Sequence, residues 1–404
     1  MKQHIVMMDM TKAGSINGVT RCITTLSEGL GRNRSLQVIW IRFIHGIKHY
    51  QDKNVRQGLH IIQIPLPDEV SCFLANSKLR ERYWTEVYHR LQPVFQGSPI
   101  LHIHTLNLIE FALLVKMHTG SKIVSHIHCI PWKGLYNTNI ELFNRLYNKY
   151  YIQKDYSHPE LFIRQHHEFL VYTQSDFIIC VTECAKEFIH NICPNHVSNI
   201  SVVVNGIYDW HIKHHSKTGK ATKLIFVGSG QRSKGLSFVL AAMQTSLMRT
   251  RSSLLIVGNY SKDIRNMIIN QYPFLDIEFA GVVGKEHLKH LYANSDVGII
   301  GSIQEQCSYV AIEMMMAGLP VITTDVDGLS ELFEQGVNAI KIPVHFSPSN
   351  GLQPDIPSMA DAIVELGGSM KLRCRLGKHG RLRYKKKHTV GGMLSALCEI
   401  YNIL

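Results

Sequence analysis

Glu305 and Glu313 stand eight residues apart in EQCSYVAIEMMMAGLP (305–320), with Ser308 and Tyr309 between them. A buried helix face excludes an uncompensated charge, so a carboxylate set among Ala, Ile and Met at Glu313 asks for a partner. The preceding VGIIGS reads as a buried strand, IQEQC as a loop, and 309–317 as a helix. Ser308 suits its N-cap and Gly318 the position just past its end. Glu305 then lies on the loop at the C-terminal end of a strand, and Glu313 more than one turn into the helix that follows. In open α/β sheets that edge receives ligands, and a helix N-terminus offers N–H groups to an anion. The spacing suits a ribose diol held by Glu313, with Glu305 nearer to whatever hangs from the phosphates. A loop glutamate and a surface glutamate remain the alternative on pattern alone.

A second stretch, LIFVGSGQRSKGLSFVLAAM (224–243), runs from a strand through a glycine loop with Arg232 and Lys234 into a helix. Glycines such as Gly228 permit close backbone approach, and the two cations can neutralise a diphosphate. The order Lys-Gly, rather than Gly-Lys-[Ser/Thr], excludes a Walker A loop. Solvated turn residues are the other reading. A third group, His102, His104, His126 and His128, alternates along LHIHTLN and SHIHCIPWKG, so each pair points to one face of a strand. His128 lies near a strand's C-terminal end, where it could reach a ligand.

These residues must be positioned by a regular frame. Short apolar runs read as strands at 4–9, 38–43, 60–65, 101–106, 123–128, 177–182 and 202–206, with amphipathic stretches such as 78–95 between them. The pattern pauses over the polar 208–223, which suits a linker, and resumes from LIFVGS to AIKIPV near Val344. Near-continuous apolar strands separated by helices indicate parallel sheets covered on both faces. The chain beyond Pro357 is mostly helical, and its basic run KLRCRLGKHGRLRYKKKH (371–388) reads as a solvated face with a turn at Gly377 or Gly380.

The chain has 404 residues, 45% hydrophobic and 18% charged, which fits two domains and argues against disorder. No apolar run reaches the ~18 residues of a membrane span, and MKQHIVMMDMTKAG reads as a first strand rather than a signal peptide. A cytoplasmic protein is expected. Nine scattered cysteines without a CxxC pair indicate neither a disulfide framework nor a zinc ribbon, and Cys180, in an apolar run, reads as a small hydrophobe. No metal site is expected. The net charge of +12 favours anionic substrates or membrane surfaces. No aromatic-interleaved basic groove supports nucleic acid.

The second half resembles the nucleotide-sugar domain of the family 4 glycosyltransferases. EQCSYVAIE is similar to the family's E-x7-E motif, AGLPVIT to the segment after it, and VGSGQRSKG to its glycine loop. VVVNGIYD resembles the family's hinge, CVTEC its V-S-E segment, and SINGVTRCITTLSEGL, with Gly18, its first glycine loop and helix. The resemblance implies the GT-B fold, an α/β architecture of two facing Rossmann-like domains with a cleft between them and a C-terminal helix. Residues 1–207 would form the acceptor domain and 208–385 the nucleotide-sugar domain. Residues 386–404 would form a helix packing back towards the N-terminal domain.

The resemblance also implies roles. Glu313 would hold the ribose, Glu305 the donor sugar, and the backbone around Cys307, Ser308 and Tyr309 the sugar or diphosphate. Lys234 would balance charge on the leaving diphosphate. His128 matches a histidine element of the family, which makes it the first candidate to position the sugar or acceptor and His104 the second. The implied activity is retaining, metal-independent transfer from a UDP- or GDP-sugar, used as co-substrate with no tightly bound cofactor. The acceptor would be a glycan, a lipid-linked molecule or a peptide. Peripheral contact with an anionic inner-membrane surface follows from the net positive charge and the basic run 371–388 rather than from the resemblance. Three positions depart from the family: Ser229 replaces its Arg, Gly301 its Pro, and Asn17-Gly18 its Gly-Gly. Arg232 is the available substitute for the missing Arg. A degenerate binding or scaffold subunit, or another GT-B activity such as an epimerase, is the alternative that these departures leave. Asp325 and Asp327 form a D-x-D pair of the kind that holds metal in single-sheet transferases, but their context reads as a turn near the donor sugar. The aromatic, His-rich segment 152–172 would cover the acceptor side.

Overall fold

A computed structural model of the chain describes residues 2–14, 17–56, 58–67, 73, 76–138, 140–148, 153, 159–194, 199–212 and 221–404. The chain divides into two units: Met1–Trp132 with Asn144–Asn205 and Val390–Leu404, and Lys133–Phe143 with Gly206–Thr389.

The N-terminal unit is built on strands β1 (Gln3–Lys12), β2 (Leu36–His45), β3 (Gln51–Arg56), β4 (Leu59–Pro65), β5 (Ile100–Ile103), β6 (Ile123–Ile127), β7 (Phe177–Cys180) and β8 (Ile200–Val202). They form one sheet in the order β3-β4-β2-β1-β5-β6-β7-β8, parallel except for the antiparallel β3/β4 pair. Ile5, Val6, Met7 and Met8 of β1 are all buried, as a central strand covered on both faces requires. The polar edge strand β3 (QDKNVR) carries no apolar period and is absent from the sequence reading. The last strand also differs: it ends at Val202, where the apolar run 202–206 had placed its start. The terminal helix Val390–Asn402 belongs to this unit and lies against the helix Gly18–Leu30, where a Cβ on Gly29 would stand 2.4 Å from Leu394.

The C-terminal unit carries β9 (Thr222–Val227), β10 (Ser252–Val257), β11 (Asp276–Gly281), β12 (Val297–Ile300), β13 (Val321–Thr324) and β14 (Ala339–Ile342). They form a parallel sheet in the order β11-β10-β9-β12-β13-β14. A small hairpin, β15 (Val344–Ser347) with β16 (Gly351–Pro354), follows. In both sheets the first strand sits between neighbours reached in opposite directions, β1 between β2 and β5, β9 between β10 and β12. Strand order reverses there, and loops leaving the C-terminal strand ends diverge to open a crevice.

The basic run corrects an expectation. One continuous helix, Met370–Lys387, passes through both Gly377 and Gly380 without a turn. Gly377 serves close packing: a Cβ there would lie 2.1 Å from the carbonyl oxygen of Gly318, just past the helix Tyr309–Ala317. Nor is the run simply a solvated face. Arg373 donates to Leu366 O, Arg381 to Met316 O and Asp209, and Arg383 to Glu331 O, so three of its cations tie backbone carbonyls inside the unit. Gly377→Ala is expected to lower stability by about 1–3 kcal/mol through overpacking against backbone. Gly380→Ala, whose Cβ would meet nothing nearer than 3.7 Å, should gain up to about 1 kcal/mol of helix propensity. Denaturant unfolding of the two variants measures the contrast, and equal stabilities would contradict it.

Candidate active site

At the β9/β12 reversal two loops meet. Gly235 has φ +73°, and a Cβ there would stand 1.8 Å from the carbonyl oxygen of Gly301. A Cβ on Gly301 would stand 2.6 Å from Gly235 O, which accounts for glycine where the family carries Pro. Ile303 N donates to Ser233 O at 2.9 Å, closing the same contact. The approach brings Lys234 Nζ to Glu305 Oε1 at 2.5 Å, and Ser302 Oγ donates to that oxygen at 3.3 Å. A third loop joins them, since Gly328 N donates to the Glu305 carbonyl at 3.0 Å. Gly228 lies beneath: a Cβ there would meet the Phe226 ring at 3.1 Å and Lys234 Cβ at 3.6 Å. Arg232 shares the short turn with Lys234 but is exposed, its Nη2 3.4 Å from Asn350 O. The structure thus joins Lys234 to Glu305 and leaves Arg232 beside the β15/β16 hairpin.

The helix Tyr309–Ala317 starts beside this pair. Ser308 is its N-cap, accepting from Ala311 N at 3.4 Å, and Cys307, Ser308 and Tyr309 are all buried. Glu313 is only 1% exposed, and Tyr292 Oη donates to its Oε2 at 2.8 Å. Tyr292 comes from the helix Lys285–Ala293 and is itself fully buried. The sequence reading assigned Glu313 a ligand and missed this internal donor. The available signal was the tyrosine just before a buried strand, because a buried phenol needs a hydrogen-bond partner. Asp325 and Asp327 are each paired with a lysine, Lys341 at 2.8 Å and Lys133 at 2.7 Å.

The N-terminal unit has its own crevice at the β1/β5 reversal, a pocket of about 270 Å³ whose lining includes Asp9, Asn17, Thr20, His104, His126 and His128. Gly18 opens the helix Gly18–Leu30 at its rim, between the lining residues Asn17 and Val19. Asn17 caps that helix, accepting from Thr20 N at 2.9 Å. Gly18 and His128 therefore belong to this unit, and Lys234, Glu305 and Glu313 to the other. Asp9 was missed by sequence reading although an acid inside a buried strand is itself a signal. It is 2% exposed and accepts from Trp40 Nε1 at 2.8 Å, with Arg42 Nε at 3.4 Å. Burial raises its carboxyl above the usual range, and Arg42 and Trp40 offset this in part.

The register of β5 on β6, with His102 opposite Val124, sets both histidine pairs on one face. Their rings form one cluster: His102 and His126 stack at 5.4 Å, His104 and His126 lie 5.1 Å apart, and His126 and His128 4.3 Å. His104 Nδ1 is 2.9 Å from His128 Nε2, and His102 Nδ1 is 2.6 Å from Tyr401 Oη. Burial pushes all four imidazoles down, His102 to about 3 and His128 to about 4, so they are neutral at pH 7. Of the segment 152–172, part lies outside the described residues. Its helix Pro159–Gln174 buries His167, whose Nδ1 is 3.1 Å from Asn107 Oδ1. Cys180 is packed as a small hydrophobe, with burial pushing its thiol up to about 12.

Comparison with known proteins agrees with this frame. Residues 221–367 match the family model described as Glycosyl transferases group 1. The uncharacterized glycosyltransferase MJ1607 of Methanocaldococcus jannaschii is 30% identical over 190 residues, 43% of this chain and 48% of that protein. The alpha-D-kanosaminyltransferase of Streptomyces kanamyceticus is 22% identical over 181 residues, 44% of this chain and 45% of that protein. The chain spans about half the length of the curated relatives it matches. Among solved structures, the sucrose-phosphate synthase of Thermosynechococcus elongatus superposes with a TM-score of 0.77 at 15% identity, covering 99% of this chain and 98% of that one. Anabaena HepE in complex with UDP-glucose gives 0.68 at 13% identity, covering 99% of this chain and 100% of that one. The chain therefore has the GT-B fold, and over residues 221–367 it matches the group 1 glycosyl transferases, as the resemblance in its motifs implied.

Proposed function

We propose that the protein is a family 4 glycosyltransferase that moves a sugar from a UDP- or GDP-sugar to a glycan, lipid-linked or peptide acceptor with retention of anomeric configuration. The observation that carries this reading is the Lys234–Glu305 pair held at the β9/β12 reversal, one loop away from the helix that bears Glu313. Tyr292 orients the Glu313 carboxylate, which then accepts from the hydroxyls of a ribose laid across the helix start. Backbone N–H groups at Cys307, Ser308 and Tyr309 face the donor's sugar or diphosphate, as helix N-termini suit anions. Glu305 takes a hydroxyl of the donor sugar while its ion pair fixes Lys234. As the glycosidic bond breaks, negative charge grows on the diphosphate, and a pre-positioned ammonium stabilises it without reorganisation. Arg232, on the same turn, adds a second cation, and fixed cations of this kind support a reaction without a metal on the diphosphate.

The N-terminal pocket is the proposed acceptor site, with Asp9 and His128 as hydrogen-bond partners for an acceptor hydroxyl. The match of residues 221–367 to the group 1 family model, and a neighbour solved with UDP-glucose, support a nucleotide-sugar as donor. No described helix is long and apolar enough to cross a membrane. A cytoplasmic location is proposed, and the exposed Lys385, Lys386 and Lys387 suit peripheral contact with anionic lipid.

A thermal-shift panel of UDP-, GDP- and ADP-sugars, with Mg2+ or with EDTA, tests the donor site. One nucleotide should stabilise the protein with or without metal, and Glu313→Ala should weaken it by at least about tenfold, the worth of a charged hydrogen bond. No shift with any nucleotide would overturn the assignment. Tyr292→Phe leaves a buried carboxylate without this donor and should cost about 1–3 kcal/mol of stability while leaving nucleotide preference unchanged. Lys234→Ala should lower kcat by about 10²–10³-fold with a smaller change in KM, the pattern of an interaction strengthened in the transition state. An unchanged kcat would remove Lys234 from the mechanism. Product NMR giving an inverted anomer would refute retention.

A further inference from the structure

The histidine cluster of the N-terminal unit holds more polar capacity than acceptor positioning uses. His126 is buried, and among the described residues neither of its ring nitrogens has a hydrogen-bond partner. His102 and His104 each engage Nδ1, with Tyr401 Oη and His128 Nε2 respectively, and each leaves Nε2 buried and unpartnered. Four such nitrogens within one cluster carry an uncompensated desolvation cost, which a native core rarely retains. One nitrogen from each of His102, His104 and His126 lies within 4.8 Å of the others. A tetrahedral ion with Zn–N bonds of about 2.0 Å sets its ligand nitrogens about 3.3 Å apart, so ring rotations about χ2 close the difference.

We propose that His102, His104 and His126 form a transition-metal site of the Zn2+ class, with its fourth coordination position towards the pocket that Asp9 and His128 line. The hydrogen bonds already present are compatible with ligating tautomers. With His102 Nδ1 donating to Tyr401 Oη and His104 Nδ1 to His128 Nε2, both Nε2 lone pairs are left for the metal. Tyr401 and His128 thus act on the metal through the ligands they orient. An all-imidazole donor set suits Zn2+, Cu2+ or Ni2+ and disfavours Mg2+ and Ca2+, which take oxygen. The site lies in the N-terminal unit and shares no residue with those proposed to bind the diphosphate.

Equilibrium dialysis and calorimetry with ZnCl2, on EDTA-treated full-length protein without an affinity tag, test the proposal. One Zn2+ per chain is expected to remain after dialysis, with Mg2+ failing to displace it. His126→Asn and His104→Asn should each weaken binding by more than about 100-fold, and Tyr401→Phe by about 10–100-fold as an orienting partner. The exposed pair His287→Asn and His290→Asn should leave it unchanged. Circular dichroism establishes that each variant is folded. If the cluster variants do not fold, the visible spectrum of Co2+-loaded wild type decides: intense four-coordinate bands sustain the site, and a weak aquo-like spectrum overturns it. Absence of stoichiometric Zn2+, or Zn2+ held equally by folded His126→Asn, would also overturn it.

Discussion

Gly235 and Gly301 meet where a Cβ atom fits on neither, and the chemistry of the C-terminal unit depends on that contact. The loops after β9 and β12 carry Lys234 and Glu305, which the proposed mechanism needs side by side, one for a leaving diphosphate and the other for a sugar. Backbone-to-backbone approach shortens the gap, the Ile303–Ser233 hydrogen bond locks it, and Gly328 anchors the Glu305 loop from a third direction. A side chain at either glycine would separate the loops before it disturbed the sheet. Pre-organisation here is a matter of excluded volume, and charge acts only once it is set.

Both units use the same topological device. Strand order reverses at the first strand of each sheet, and the loops that diverge there carry the residues with chemical capacity. In the C-terminal unit the crevice is lined by an ion pair and a helix N-terminus. In the N-terminal unit it is lined by a buried aspartate and neutral imidazoles, a set suited to hydroxyl groups or a soft-to-borderline metal rather than to phosphate. The parallel registers matter as much as the residue types: a one-residue slip between β5 and β6 would send one histidine pair to the opposite face.

Much of this was legible in sequence because the information was local. Continuous apolar runs located the parallel strands within a few residues, and the Ser308 cap and Gly318 bounded the helix that bears Glu313. What escaped was non-local. Tyr292 finds Glu313 across 21 residues, and Asp9 finds Trp40 and Arg42 only after β1 pairs with β2. Strand β3 is polar because it is an edge strand, so periodicity could not reveal it. Gly377 looked like a helix breaker because its reason for being glycine, the Gly318 carbonyl, lies 59 positions earlier in the chain. The histidines were visible as alternating pairs, but that one nitrogen from each of His102, His104 and His126 comes within 4.8 Å of the others depends on sheet register.

A crystal structure of the protein with the nucleotide-sugar that stabilises it most would test the central claim directly. The predicted density places the ribose hydroxyls against the Glu313 carboxylate and the diphosphate within reach of Lys234, with the sugar beside Glu305. A nucleotide found instead in the pocket of Asp9 and His128, or bound without contact to Glu313, would contradict it.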